Sequence, residues 1–176
     1  MRHVTMTVKA FPMPDPTQIS AVDRWLSQAQ AAPEQAWREW RDGGVALLPC
    51  GNRFCAIRIP TQLVHAAVGT SEQPAVDTAL SAALDGPVIR DEAGQHDYAL
   101  IETIPRRDWP FQQDAPLLGH GTYLGVPKTE REGSSRTHWV VPPRFPGNLC
   151  SLRAVEELVA TGRASLAENS PPETSP

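Results

Sequence analysis

The five histidines and three cysteines of the chain are the side chains from which a metal centre or a nucleophile would be built. A structural zinc site needs ligand pairs about two to five residues apart. Here Cys50 and Cys55 straddle a turn, and His120 and His138 are separated by a whole polar insert, so the spacing predicts no metal site. A catalytic cysteine needs a base within reach and a setting that favours the thiolate. Neither is written around Cys55, whose place in an alternating run assigns it to the core, so no catalytic residue is assigned. The segment Leu118 to Trp139 carries a different chemistry. Gly119, Gly121 and Gly125 permit close backbone approach, and His120, Lys128, Arg131, Arg136 and His138 surround them with donors suited to phosphate. Arg106 and Arg107, close to Trp109 and Phe111, could pair backbone charge with base stacking, although two buried aromatics pinning a loop explain that segment more simply.

The elements that must position these groups follow from periodicity. Ile19, Val22, Trp25, Leu26 and Ala29 recur at helical spacing behind Thr17, a possible cap, and predict a helix to Ala31. Pro33 opens a second helix that runs through Trp37 and Trp40 to Asp42, where Gly43 and Gly44 stop it. Val45–Leu48 and Arg53–Ile59 read as strands joined in a hairpin by Pro49-Cys50-Gly51-Asn52. Period two then places Cys55 and Ile57 on one face and Arg58 on the other. Helices are expected over Thr61–Val68 and Ala75–Leu84, and a second hairpin from Val88–Ile89 and Tyr98–Ile104. Pro105 to Leu118 is an irregular loop. Thr122–Val126 and Thr137–Val141 are strands flanking the insert Lys128 to Arg136, and Ser151 caps a closing helix that ends near Gly162.

This order describes an α+β domain, a mainly antiparallel sheet with helices packed on one side. Residues 1–16 form an N-terminal arm, 17–162 a single domain, and 163–176, rich in Pro, Ser, Thr and Glu, a disordered tail. The formal net charge of −4 excludes a broad positive field, so any contact with a nucleic acid must be local. An odd number of cysteines without a CxxC pair fits a reducing compartment, and the first residues lack an apolar signal-peptide core. A cytoplasmic protein without a membrane segment is expected.

Three stretches together resemble the primase-polymerase domain, the N-terminal domain of bacterial and plasmid bifunctional DNA primase/polymerases in the archaeo-eukaryotic primase superfamily. Gly119-His120-Gly121-Thr122-Tyr123-Leu124-Gly125-Val126-Pro127, followed by His138-Trp139, is similar to the family's Gly-rich strand and the aromatic strand after it. Gly94-Gln95-His96-Asp97-Tyr98 is similar to its small-residue turn leading to a histidine, and Gly44 to Cys50 to its first core strand. The resemblance spans Trp37 to Thr161 and implies a primase-polymerase-like fold in which His96 contacts a nucleotide phosphate. It also implies a departure. Active members hold divalent metal with two acidic residues, one apart, on a core strand, and the matching strand here, Phe54-Cys55-Ala56-Ile57-Arg58, has Cys55 and Ile57 at those positions. Neither can hold magnesium, which demands oxygen ligands.

The expectation is a catalytically degenerate domain of DNA replication, without cofactor, that binds nucleotide or single-stranded nucleic acid through Arg58, His96, His120 and Lys128. The alternative is a scaffold that recognises a protein partner through exposed Trp and Pro-rich segments. A third possibility is an enzyme of other chemistry, with His96 paired to Asp97 or Glu102 as acid and base. Asp91, Glu92, Asp97 and Glu102 are the carboxylates that could stand in for the missing pair.

Overall fold

The computed structural model describes residues 19–130 and 135–172. The N-terminal arm, the Thr17 cap, Arg131 and the last four residues lie outside them.

Helix α1 (Ala21–Ser27) starts at Ser20, whose hydroxyl accepts from the Asp23 amide at 3.0 Å. It stops short of the Ala31 expected from its apolar spacing. The chain must enter α2 (Pro33–Gly43) at a proline, which forces the preceding residue out of the helical region, and Ala32 is extended. Trp37 and Trp40 pack edge to face in α2, 5.1 Å apart, and Gly44 ends the helix in the left-handed conformation. The remaining elements are β1 (Val45–Pro49), β2 (Cys55–Pro60), α3 (Thr61–Val68), α4 (Gln73–Leu84), β3 (Val88–Asp91), β4 (His96–Ile101), β5 (Leu117–Leu118), β6 (Tyr123–Pro127), β7 (Thr137–Val141) and α5 (Leu152–Glu168).

The α+β class holds, with two differences in arrangement. A five-stranded antiparallel sheet runs in the order β5-β2-β4-β3-β7, and β1 pairs with β6 in a separate two-stranded ribbon. The expected hairpin of β1 with β2 therefore does not form. The two strands lie in different layers, and the turn between them carries the chain from the ribbon into the sheet. Cys50 bonds across the ribbon to the Thr122 carbonyl, while Phe54, fully buried, begins the descent. The hairpin of β3 with β4 does form.

Helices cover both faces of the sheet rather than one. Cys55, Ile57 and Ile59 of β2 join Leu63, Val64, Val76, Leu80, Val155 and Val159 in a core beneath α3, α4 and α5. Ala56 on the opposite face joins Leu26, Trp37, Trp40, Leu48, Leu124 and Val126 beneath α1, α2 and the ribbon. A strand buried on both sides is apolar at successive positions, which is why β2 reads Cys-Ala-Ile before its first charge. Helix α5 runs on to Glu168, so residues 163–168 are helical where the tail was expected to begin. Gly162 is not a stop. A Cβ there would meet the Leu63 carbonyl at 2.5 Å, so the glycine permits close packing of α5 on α3. Among the described residues, no helix is long and apolar enough to cross a membrane.

The face beneath α3, α4 and α5, termed the helical side, encloses an ion-paired network. Arg90 of β3 donates to Asp97 of β4 at 2.8 Å and to Asp77 of α4 at 2.6 Å, with Arg90 and Asp97 both buried. Burial pushes the Asp97 carboxyl above its ordinary range despite the guanidinium beside it. Removing the cation leaves a buried carboxylate uncompensated, so Arg90→Met should destabilise the fold by about 3–5 kcal/mol. The folded-state pKa of Asp97 then lies further above its unfolded value. Stability of the variant should be greatest below the unfolded pKa and fall as pH rises towards neutrality. Urea unfolding at several pH values checks both. An Arg90→Met loss below about 1 kcal/mol with no added pH dependence contradicts the role given to the pair.

Candidate functional site

The ribbon covers only part of its face of the sheet. Strand register fixes which side chains lie beneath it and which emerge. Arg58, Tyr98, Ile89 and Trp139 are cross-strand partners in one row through β2, β4, β3 and β7. The next row holds Pro60, His96, Asp91 and Thr137, and the row on the other side begins with Ala56 and Leu100. Directly paired residues share a face, so the ribbon-covered face changes along the strands from apolar, at Ala56, Leu100 and Ile89, to polar, at Arg58, His96 and Asp91.

At this transition a cleft of about 420 Å³ opens between the sheet and β6, lined by Arg58, Asp91, Tyr98, Thr137 and the segment Gly121–Gly125. Among the described residues the Arg58 guanidinium has no hydrogen-bond or ion-pair partner, although the side chain is half-buried. Tyr98 stands between Arg58 and Asp91. Burial, followed by the Asp91 carboxylate, raises its phenol pKa, and Arg58 works against both. His96 lies one row further out, with its ring 6.3 Å from that of Tyr98. Gly94 shapes this corner. A Cβ there would overlap the Asp91 carboxylate and come within 3.2 Å of the His96 ring nitrogen, so the turn must be bare for both side chains to fold over it.

The four expected contact residues therefore do not form one site. Arg58 and His96 share the sheet face. His120 lies in an adjoining hollow of about 610 Å³, with Ala29, Pro49, Asn52 and Tyr123, and its backbone packs against Gly51. Lys128 is at the far end of β6, beside Arg41, Asp42 and Glu130, and does not reach the cleft. Of the other donors around the Gly-rich strand, His138 pairs in register with Arg90, which puts it on the helical side, and its ring contacts the Ser135 carbonyl and Glu92. Arg106 and Arg107 lie in an exposed 3₁₀ turn, while Trp109 is buried and donates to the Ala115 carbonyl, as a pinned loop requires.

The stand-in carboxylates separate equally clearly. Asp97 faces the helical core and is held by Arg90, which removes it as an acid or base for His96. Glu102 lies beside Ser151 and Arg153, at the start of α5, and not in the cleft. Asp91, which strand spacing alone gave no reason to prefer, is the carboxylate the structure brings to the cleft. Cys55 and Ile57 point into the core beneath α3–α5, so the β2 residues on the cleft face are Ala56 and Arg58. Either register of that strand offers no acidic pair. Among the described residues no group of three His, Cys, Asp or Glu side chains is placed to hold a metal ion.

The tryptophans are not exposed contacts. Trp37, Trp40 and Trp109 are buried, and Trp25 and Trp139 half-buried; among the described residues the exposed large apolar side chains are Leu47, Tyr123 and Phe145. No family model, curated protein or solved structure matches the chain.

The cysteines are also closed to nucleophilic chemistry. All three are free and buried, and burial lifts the Cys50 thiol to about 11 and the Cys150 thiol to about 12. At pH 8 a thiol at about 11 is thiolate in roughly one molecule per thousand. A chromogenic disulfide should therefore label the folded protein slowly and all three cysteines at once in denaturant. Rapid labelling of one thiol under native conditions contradicts this arrangement.

Proposed function

We propose that the protein binds a phosphate-bearing ligand, a nucleotide or nucleic acid, in the cleft between β6 and the five-stranded sheet, without catalysing nucleotidyl transfer. The observation that carries this reading is Arg58, a half-buried guanidinium with no described carboxylate partner, facing a cleft whose other wall is a Gly-rich strand. A cation held in a partly desolvated recess attracts phosphate more strongly than one in open water. His96 on the neighbouring row supplies a second donor. The resemblance to primase-polymerases supports the same ligand class through the Gly119–Pro127 strand and the turn before His96.

Catalysis is left out for a chemical reason. Nucleotidyl transfer relies on metal ions to neutralise phosphate charge, and those ions need several carboxylate oxygens. The cleft face of β2 offers Ala56 and Arg58, and Asp91 on β3 is, among the described residues, the one carboxylate that lines the cleft. Arg58 puts positive charge on the strand where the resemblance expects negative charge. A phosphate can then be held by the protein itself.

Removing a charge-assisted contact to phosphate costs about 1.5–3 kcal/mol, or roughly ten- to a hundredfold in affinity. Arg58→Ala should weaken binding of fluorescent nucleoside triphosphate and short single strands by that factor, with no change in thermal stability, and His96→Ala should weaken it less. Lys128→Ala should have no effect. Wild-type binding should fall with added salt and persist in EDTA. Absence of binding to any of these ligands, or equal losses in the Arg58 and Lys128 variants, sinks the reading. A strict requirement for magnesium or manganese reopens catalysis.

A further inference from the structure

Hydrogen-bond parity in the ribbon determines what β6 shows to the cleft. In an antiparallel ladder, directly opposed residues alternate between pairs that exchange hydrogen bonds and pairs whose N–H and C=O groups point outward. Lys128 donates to the Gly44 carbonyl and Cys50 to the Thr122 carbonyl, which makes these the bonded pairs at the two ends of the ribbon. Counting inward by two, Ala46 with Val126 and Leu48 with Leu124 are bonded pairs. Val45 with Pro127, Leu47 with Gly125, and Pro49 with Tyr123 are the open ones. Chemistry agrees with the count, because both ribbon prolines, which have no N–H, fall at open positions.

The two outer edges of the ribbon are treated differently. On β1, the outward groups of Leu47 are closed by side chains: its amide donates to Glu39 at 2.7 Å and its carbonyl accepts from Gln30 at 2.6 Å. On β6, the Pro127 carbonyl is closed by the Trp139 indole at 2.9 Å. Tyr123 and Gly125 remain. Among the described residues their outward N–H and C=O groups have no strand beside them, and both residues line the cleft that holds Arg58. Gly125 is half-buried, and main-chain groups so placed are normally satisfied, so an edge left open there inside a cleft is a feature to be explained.

Phosphate does not explain it. Phosphate oxygens only accept, and the Tyr123 carbonyl would face them with like partial charge. A nucleobase edge carries donors and acceptors at adjacent ring positions, which complements an acceptor from one strand residue and a donor from the residue two further on. Gly125 also has no side chain to obstruct a planar ring, and the next outward side chain, Tyr123, is 64% exposed. We propose that the open edge of β6 reads the base of a bound nucleotide: the Gly125 N–H donates to a ring nitrogen or keto oxygen, and the Tyr123 carbonyl accepts from an amino or imino N–H. The phosphates then extend towards Arg58. This rests on the nucleotide reading above and divides the ligand between its two walls, with the Gly-rich strand holding the base and the sheet the phosphate.

Parity supplies a variant that removes one group. Because Gly125 is at an open position and its φ is not in the left-handed region, Gly125→Pro deletes the outward N–H and leaves every β1–β6 hydrogen bond in place. Gly125→Ala retains the N–H and adds a methyl group 3.3 Å from the Val45 side chain. The ligands are ATP, GTP, CTP, UTP and inorganic tripolyphosphate, with affinity read by calorimetry and folding checked by circular dichroism. Wild-type protein should bind at least one nucleoside triphosphate roughly tenfold more tightly than tripolyphosphate. Gly125→Pro should remove that preference and leave tripolyphosphate affinity unchanged, while Gly125→Ala keeps most of it. If wild-type protein binds tripolyphosphate and all four nucleotides equally, the inference is wrong whether or not the proline variant folds, and the anion site at Arg58 stands. If none of the five binds, this inference fails, and the proposed function fails with it when short single strands do not bind either.

Discussion

The packing of the β1–β6 ribbon on one end of the five-stranded sheet is the constraint from which the rest follows. Ala46, Leu48, Leu124 and Val126 drive it by burying one face of the ribbon against Ala56, Ile89 and Leu100. Two indoles fix where it lies. Trp40 donates to the Val126 carbonyl at 2.8 Å and so ties α2 to β6, and Trp139 of β7 donates to the Pro127 carbonyl. The ribbon is thus anchored at the Pro127 end, and the cleft opens at the other end, where Tyr123 and Gly125 face Arg58 and Tyr98. A ribbon hydrogen-bonded to the large sheet would have no cleft, and one without the indole contacts would have no fixed separation from it.

Most elements were legible in the sequence because their signals are local. Thr61–Val68 was read to the residue from an apolar stripe after Pro60, and the second helix from its opening proline and closing glycines. What the sequence could not disclose was pairing between distant segments. The turn Pro49-Cys50-Gly51-Asn52 carries every local mark of a hairpin, yet β1 finds its partner more than seventy residues away at β6. Turn chemistry shows that a chain reverses, and says nothing of the layer to which it returns. Gly162 was misread for the same reason: a glycine that ends a helix and one that lets a helix approach Leu63 look alike until the neighbour is known.

The site was legible by half. Alternation in β2 set Arg58 opposite Cys55 and Ile57, as the structure has it, and His96, singled out by the turn before it, lies on the same sheet face as Arg58. Gathering His120 and Lys128 with them assumed that charges near a Gly-rich strand share its face, whereas they flank β6 at its two ends and line separate hollows. Asp91 was one of four carboxylates with equal claims until cross-strand register chose it. The open edge at Gly125 has no sequence signal at all, because it depends on which strand residues exchange hydrogen bonds. The two prolines at open positions are its trace, and they become readable once the pairing of β1 with β6 is known.

The central claim is that ligand enters between Arg58 and the open edge of β6. The most direct test is a titration of isotopically labelled protein with a nucleoside triphosphate, following backbone amides and the Arg58 Nε–H by two-dimensional NMR. Saturable shifts concentrated at Arg58, His96, Tyr98, Tyr123 and Gly125, with the Lys128 amide and the Arg90–Asp97 network unmoved, are the expected result. Shifts centred on Lys128 or on the hollow around His120, with Arg58 and Gly125 still, would place the ligand elsewhere and contradict the claim.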